Sequence, residues 1–384
     1  MKRILPFLCL LLLCGCSQKQ VEQTVETTMV TEETIPVTEA VEETVPPTTA
    51  PVDPIQERIN DLSLEERVGQ LFLARCDDSV ALSDIQDYHL GGFVLFAEDM
   101  ESQTPDSLRM KLATYQDTAS IPLLIAVDEE GGTVTRVSKF SAFRDRPFSS
   151  PRSIFEKQGY EAVLETEAEK SQLLAMLGFN VNLGPVCDLT TDPKAFMYQR
   201  SFGQAPATTG LFVMDTVTIM ADHDIGSVLK HFPGYGNNTD THTGIAVDSR
   251  RLEELESNDL IPFRAGISAG CGAILVGHAI VEAMDPQLPA SLSPAVHDYL
   301  RQEMNFSGVI MTDDLVMQAI TDQYSAGEAA VLAVLAGNDL LCSTDYRTEY
   351  EAVLAAVMSG RIPFDTLNQA VYHVLQWKAQ LGLI

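Results

Sequence analysis

The sequence predicts an α/β fold, a single (β/α)8 TIM-type barrel, and three observations carry that prediction. Short, nearly continuous apolar runs recur from Ile55 onward and alternate with longer stretches of helical period. There are eight such runs, the strand number of a closed parallel barrel. Polar and charged residues collect just after them, where a barrel builds its site. A doubly wound open sheet is the alternative, and the polar strand exits favour the barrel.

The strands are expected at 68–74, 92–96, 123–127, 180–185, 227–231, 273–277, 308–312 and 339–342. The run 123–127 is Leu-Leu-Ile-Ala-Val and 273–277 is Ala-Ile-Leu-Val-Gly, apolar on both faces as parallel strands under helices must be. Helical period marks 104–118, 160–177, 207–221, 252–268, 293–304 and 327–335 between strands. After the last strand come helices at 350–358 and about 366–381, the latter with Trp377. The 384 residues are 45% hydrophobic, ample for one large core.

Ahead of this barrel, assigned to residues 55–384, the chain reads differently. Lys2 and Arg3 precede an apolar run from Ile4 to Leu13 that is too short to span a membrane and fits a secretory signal over residues 1–16. It ends in Leu13-Cys14-Gly15-Cys16, which resembles a bacterial lipobox with Cys16 as the lipidated residue. An ordinary signal peptide with incidental cysteines is the alternative. Residues 17–54 are almost entirely Thr, Glu, Val, Pro and Ala, with no aromatic residue, and such a stretch cannot offset its chain entropy by burial. It reads as an extended tether, placing the protein outside the cytoplasm on a lipid anchor. Cys76, Cys187, Cys271 and Cys342 are widely spaced and show no CxxC pair, so buried free thiols are expected.

A formal charge of −29 excludes a phosphate-tracking surface, which needs clustered Lys and Arg, so no nucleic-acid partner is expected. The strand exits carry the chemistry. The third run ends at Asp128-Glu129-Glu130-Gly131-Gly132, the fifth at Lys230-His231, the sixth at His278 and the seventh at Thr312-Asp313-Asp314. Asp314 fits a helix N-cap, whereas Asp313 is expected at the rim, pointing to the axis. The glycine pair beside Asp128 points to backbone that approaches a ligand closely. After Lys230-His231-Phe232-Pro233-Gly234-Tyr235-Gly236, a polar loop carries Asp240-Thr241-His242, a carboxylate and an imidazole two residues apart and suited to general acid/base work. No His, Cys, Asp or Glu cluster has metal spacing, and no metal or other cofactor is expected.

At this point the residues resemble glycoside hydrolase family 3, in its β-N-acetylhexosaminidase (β-N-acetylglucosaminidase) branch. The segments are Gly91-Gly92-Phe93-Val94-Leu95-Phe96, Ala126 to Gly132, Asn182-Leu183-Gly184-Pro185-Val186-Cys187-Asp188, Arg200-Ser201-Phe202-Gly203, Lys230 to Gly234, Asp240-Thr241-His242 and Gly308 to Leu315, in family order. The resemblance implies a retaining hydrolase working through a covalent glycosyl-enzyme. It puts the nucleophile on Asp313, the acid/base on His242 and its orienting partner on Asp240. It puts sugar binding on Asp128, Arg200, Lys230 and His231, although His231 also fits a buried histidine bonded to a neighbouring strand. The implied partner is an N-acetylglucosamine-containing glycan or muropeptide, handled by a monomer.

Three departures from the family pattern stand out. Tyr235 stands where a second histidine is usual, Thr133 stands where an arginine is common, and the chain leaves no room for the second α/β domain of many members. The rivals are a β-glucosidase or β-xylosidase of the same family, a phosphorylase with phosphate as acceptor, and a non-catalytic sugar-binding lipoprotein. The first would lack the Asp-x-His pair, and the last would not need Asp313, Asp240 and His242 together.

Overall fold

The computed structural model describes residues 53–238 and 240–384, the side chain of His242 excepted. The signal, the tether up to residue 52 and the lipidation expected at Cys16 lie outside the described residues. Eight parallel strands form one sheet: β1 Phe72–Arg75, β2 Gly92–Leu95, β3 Leu124–Val127, β4 Val181–Asn182, β5 Gly226–Phe232, β6 Ala273–Val276, β7 Val309–Thr312 and β8 Leu341–Ser343. They run in the order β8-β1-β2-β3-β4-β5-β6-β7. A parallel bridge between Met311 and Leu340 brings the two ends together, with the Thr312 N–H donating to Leu340 O at 3.1 Å. The sheet is the expected (β/α)8 barrel, and the open alternative falls with its missing edges.

Side-chain alternation explains why the strands close this way. Leu73, Val94, Ala126, Val181, Val228, Leu275, Met311 and Cys342 pack together in the lumen. Their neighbours Phe93, Ile125, Val127, Ile274, Val276 and Ile310 face out beneath the helices. Val374 and Trp377 of the helix Phe364–Gln380 join the lumen cluster and close it from below. A Cβ at Gly272 would lie 1.9 Å from the Trp377 Nε1 and one at Gly226 2.8 Å from its ring, so the indole fills space that only glycine leaves at these strand starts.

Several boundaries moved for local reasons. The first strand begins at Phe72, because Ser63 and Glu66 form a reciprocal capping box that winds Leu64–Gly69 into a helix. The helix expected over 252–268 breaks into Leu252–Ser257 and Leu260–Ser268. Helices Ala81–Tyr88 and Pro151–Gln158, and a two-stranded pair Val247–Asp248 with Ile280–Val281, are elements that the strand and helix spans expected from the sequence did not include. The four described cysteines are free and buried.

Candidate active site

The phase that puts Leu73, Val94, Ala126, Val228 and Met311 in the lumen puts Arg75, Phe96, Asp128, Lys230 and Asp313, two residues further on, at its C-terminal mouth. There they line a cleft of about 830 Å³ together with Arg136, Arg200, His231, Tyr235 and Asp314. Strand alternation thus gathers Asp128 from β3, Lys230 from β5 and Asp313 from β7 at one place, and an irregularity in the β5–β6 register between Leu229 and Phe232 lets the adjacent His231 line the same cleft. Arg200 arrives from the loop after β4, just beyond a single turn over Phe196–Gln199.

Charge balance organises the β3–β5 side. Lys230 is 2% exposed and pairs with Asp128 and, at 2.7 Å, with Glu130. Arg200 grips Glu130 with two bonds, Nε to Oε2 at 2.9 Å and Nη2 to Oε1 at 2.6 Å. Burial pushes the Glu130 carboxyl up, but the Lys230 and Arg200 charges outweigh it and hold it well below the usual carboxylate range. Burial likewise works against the Lys230 cation, and Asp128 and Glu130 reverse this, keeping it charged above its ordinary range. The array is therefore preset as charged donors beside a carboxylate acceptor.

His231 is bonded to the neighbouring β4 exit, one of the two readings that the sequence left open, and it also lines the cleft. Its Nδ1 meets the buried Asp188 carboxylate at 2.7 Å, its backbone N–H donates to the same oxygen at 3.1 Å, and its Nε2 lies 3.2 Å from Arg200 Nη2 at the cleft. It is held from behind by the β4 exit while it lines the site. Asp188 also accepts the Tyr235 N–H at 2.7 Å.

Across the mouth, half-buried Asp313 accepts the Asp314 N–H at 2.9 Å. Asp314 is occupied differently: it accepts the Thr344 hydroxyl at 2.6 Å and the N–H groups of Val316 and Thr344 at 3.2 Å, tying the β7 exit to that of β8. His278 is fully buried and bonds Ser291 through Nδ1 at 2.7 Å and the Asp314 carbonyl through Nε2 at 3.0 Å, a structural post under the same loop. Asp240 is half-buried at the head of a turn, Thr241–Thr243, that packs on the short helix Gln318–Thr321 behind Asp313. The side chain of His242, within that turn, lies outside the described residues.

The glycine pair beside Asp128 has a reason within the fold. Gly131 and Gly132 have φ of 99° and 66°, and a Cβ on them would come within 2.5 Å of Ser149 O and 2.8 Å of Ser150 Cβ. They let the chain pack on its own 148–150 segment, which accounts for both glycines without a ligand. Residues missed in the sequence are Glu130, Asp188 and Arg136. The first two are carboxylates in the loops that follow β3 and β4, which was the available signal. Arg136 approaches Asp128 at 3.6 Å and covers Phe96, and nothing local distinguished it. Among the described residues Cys76, Asp78 and Asp99 have metal-like proximity, but Lys111 and Arg75 already pair with the two carboxylates.

A parallel barrel with a carboxylate at the β7 exit, across one cleft from the paired Asp128, Glu130, Lys230 and Arg200 side chains, has the layout of a barrel enzyme with a polar substrate. Residues 63–377 match the Glycosyl hydrolase family 3 N terminal domain, and the chain belongs to that family as a glycoside hydrolase. Curated relatives include Beta-hexosaminidase LpqI of Mycobacterium tuberculosis, 29% identical over 330 residues with 83% of each chain covered. The Beta-hexosaminidase of Nitrosomonas eutropha is 31% identical over 305 residues, 75% of this chain and 85% of that one. Among solved structures, a glycoside hydrolase family 3 beta-N-acetylglucosaminidase from Paenibacillus sp. str. FPU-7 has a TM-score of 0.77 at 32% identity. The match takes in 84% of this chain and 63% of that enzyme, so the chain spans less than two thirds of its length.

Proposed function

We propose that this chain is a retaining β-N-acetylhexosaminidase that removes terminal, non-reducing, β-linked N-acetylglucosamine. The observation that carries this reading is the position of Asp313 in the lumen phase of β7, across one cleft from Asp128, Arg200, Lys230 and His231. The hexosaminidase names of its relatives and the Asp240-Thr241-His242 segment support it. An Asp313 oxygen attacks the anomeric carbon, the glycosidic bond breaks, and protonated His242 gives its proton to the departing oxygen. Neutral His242 then takes a proton from water, whose oxygen displaces Asp313 from the sugar. Asp240 fixes the imidazole tautomer and favours its protonated form. Asp128 accepts from sugar hydroxyls, while Lys230, Arg200 and His231 donate.

The reading extends to peptidoglycan fragments as the natural source, because the expected Cys16 anchor and Thr/Glu/Pro-rich tether would hold the enzyme outside the bacterial membrane. Cys16→Ala protein is expected in the soluble fraction and the parent in the membrane fraction; equal partitioning of the two would remove the anchor. The activity is tested with protein starting at residue 53. It should release the aryl alcohol from an aryl β-N-acetylglucosaminide and leave the matching β-glucoside nearly untouched, with water as acceptor. Preference for the glucoside would overturn the substrate assignment. A sugar phosphate accumulating on addition of inorganic phosphate would make the enzyme a phosphorylase, and no turnover of either glycoside would favour a binding protein.

A further inference from the structure

Tyr235 is 4% exposed, and a phenol so deeply buried needs a partner for its hydroxyl. It has one in the hydroxyl of Thr241, itself fully buried in the turn that carries Asp240 and His242. The rest of Tyr235 is fixed independently. Its N–H is held by Asp188, and its ring packs edge-on against His231, with centroids 5.2 Å apart and planes at 89°, and against Phe196 at 5.7 Å. Just before it, Arg250 donates to Gly234 O at 3.1 Å while bound to Asp248 and Asp259, and a Cβ on Gly236 would lie 2.7 Å from the Arg250 guanidinium carbon. The chain up to Gly236 is thereby anchored to the wall of the sugar site.

From Gly236 to Asp240 the sequence is Gly-Asn-Asn-Thr-Asp, with no apolar side chain to seat the loop in a core. Thr190 bonds Asn237 at 2.8 Å near its start. At its far end the Tyr235–Thr241 bond bridges six residues and joins the turn to the anchored wall.

We propose that Tyr235 is a positioning residue, whose hydroxyl latches Thr241 and sets the point from which Asp240 and His242 reach the glycosidic oxygen. This rests on the assignment of those two residues as the proton-transfer pair. Burial first, and then the negative charge of Asp313, push the Tyr235 phenol up, so it keeps its proton across the working range and the latch does not titrate. Proton transfer needs heavy atoms within hydrogen-bond reach, so a loosened turn costs turnover in proportion to the need for a proton. The latch also links His231, assigned here to the sugar and held in place by Asp188, to the residues that act on its bond.

Tyr235→Phe removes one oxygen and keeps the ring contacts. The expected result is a fall in kcat/KM of about ten- to hundredfold for an unactivated alkyl β-N-acetylglucosaminide and less than about threefold for an activated nitrophenyl one, with KM nearly unchanged and the melting temperature lowered by a few degrees at most for the orphaned Thr241 hydroxyl. Thr241→Val should show the same split, Thr241→Ser should retain the parent ratio, and Tyr235→Phe combined with Thr241→Val should be no worse than either alone. Equal losses on both substrates, or an unchanged ratio in Tyr235→Phe and Thr241→Val, would overturn the latch. His242→Ala measured alongside tells the two failures apart. If it leaves the substrate ratio unchanged, the dyad assignment falls and the latch with it; if it alone moves the ratio, only the latch falls.

Discussion

Replacing Asp313 with alanine should reduce kcat on every β-N-acetylglucosaminide by about 10⁵- to 10⁶-fold, the scale seen when a covalent nucleophile is removed. The loss is expected to be this large because no neighbour can substitute. Asp314 is the nearest carboxylate in sequence, and three hydrogen bonds commit it to Val316 and Thr344. Burial pushes its carboxyl up, and the like charge of Asp313 adds to this, so it is a poorer anion as well as a misdirected one. Asp128, across the cleft, is bound to Lys230. Stability should change little, since removing the bond from the Asp314 N–H to a half-exposed carboxylate costs about 1 kcal/mol or less. The measurement is kcat on the activated aryl glycoside with the melting temperature recorded in parallel. A folded variant keeping more than about a hundredth of parent turnover would show that the attacking group lies elsewhere, given the size of loss expected for a nucleophile.

The barrel and half of this site were legible in the sequence for one physical reason. Parallel strands under helices are apolar on both faces, so their ends are marked by the first polar residue, and that residue stands at the mouth. Asp128, Lys230 and Asp313 are such residues, and each lines the cleft. Glu130 and Asp188 were visible as carboxylates following strands, yet their work consists of bonds to Arg200, Lys230, His231 and Tyr235, each at least 43 positions away in the chain. Partners at that separation are decided by barrel closure, which no local pattern encodes. Gly131-Gly132 shows the converse: the positive φ was readable from the residue type, but the neighbour that demanded it, the 148–150 segment, was not. Tyr235 could be seen as a departure from the family pattern, while its bond to Thr241 required the folded loop.

His242→Ala should divide substrates by how badly their leaving group needs a proton. For an alkyl or sugar aglycone, kcat/KM should fall about 10²- to 10⁴-fold, the usual contribution of a general acid. A nitrophenolate is stable as an anion at neutral pH and leaves unaided, so kcat/KM for the activated glycoside should stay near the parent value. Its kcat should fall nonetheless, because water must still displace Asp313 without a base, and the glycosyl-enzyme should accumulate as a burst of released phenol. A small anion such as azide needs no base and should restore kcat on the activated substrate alone. An acid/base carboxylate would repel a phosphate acceptor that a neutral imidazole admits, so inorganic phosphate should act with the parent enzyme if it is an acceptor at all. Should His242→Ala leave both substrates and the pH profile unchanged, the acid would have to be another group at the cleft. Among the described carboxylates lining it, Asp128 is engaged with Lys230 and Asp314 with Thr344, and Asp313 is already assigned to the attack. That distribution of engaged groups makes a proton donor from the Asp240–His242 loop the economical solution for this barrel.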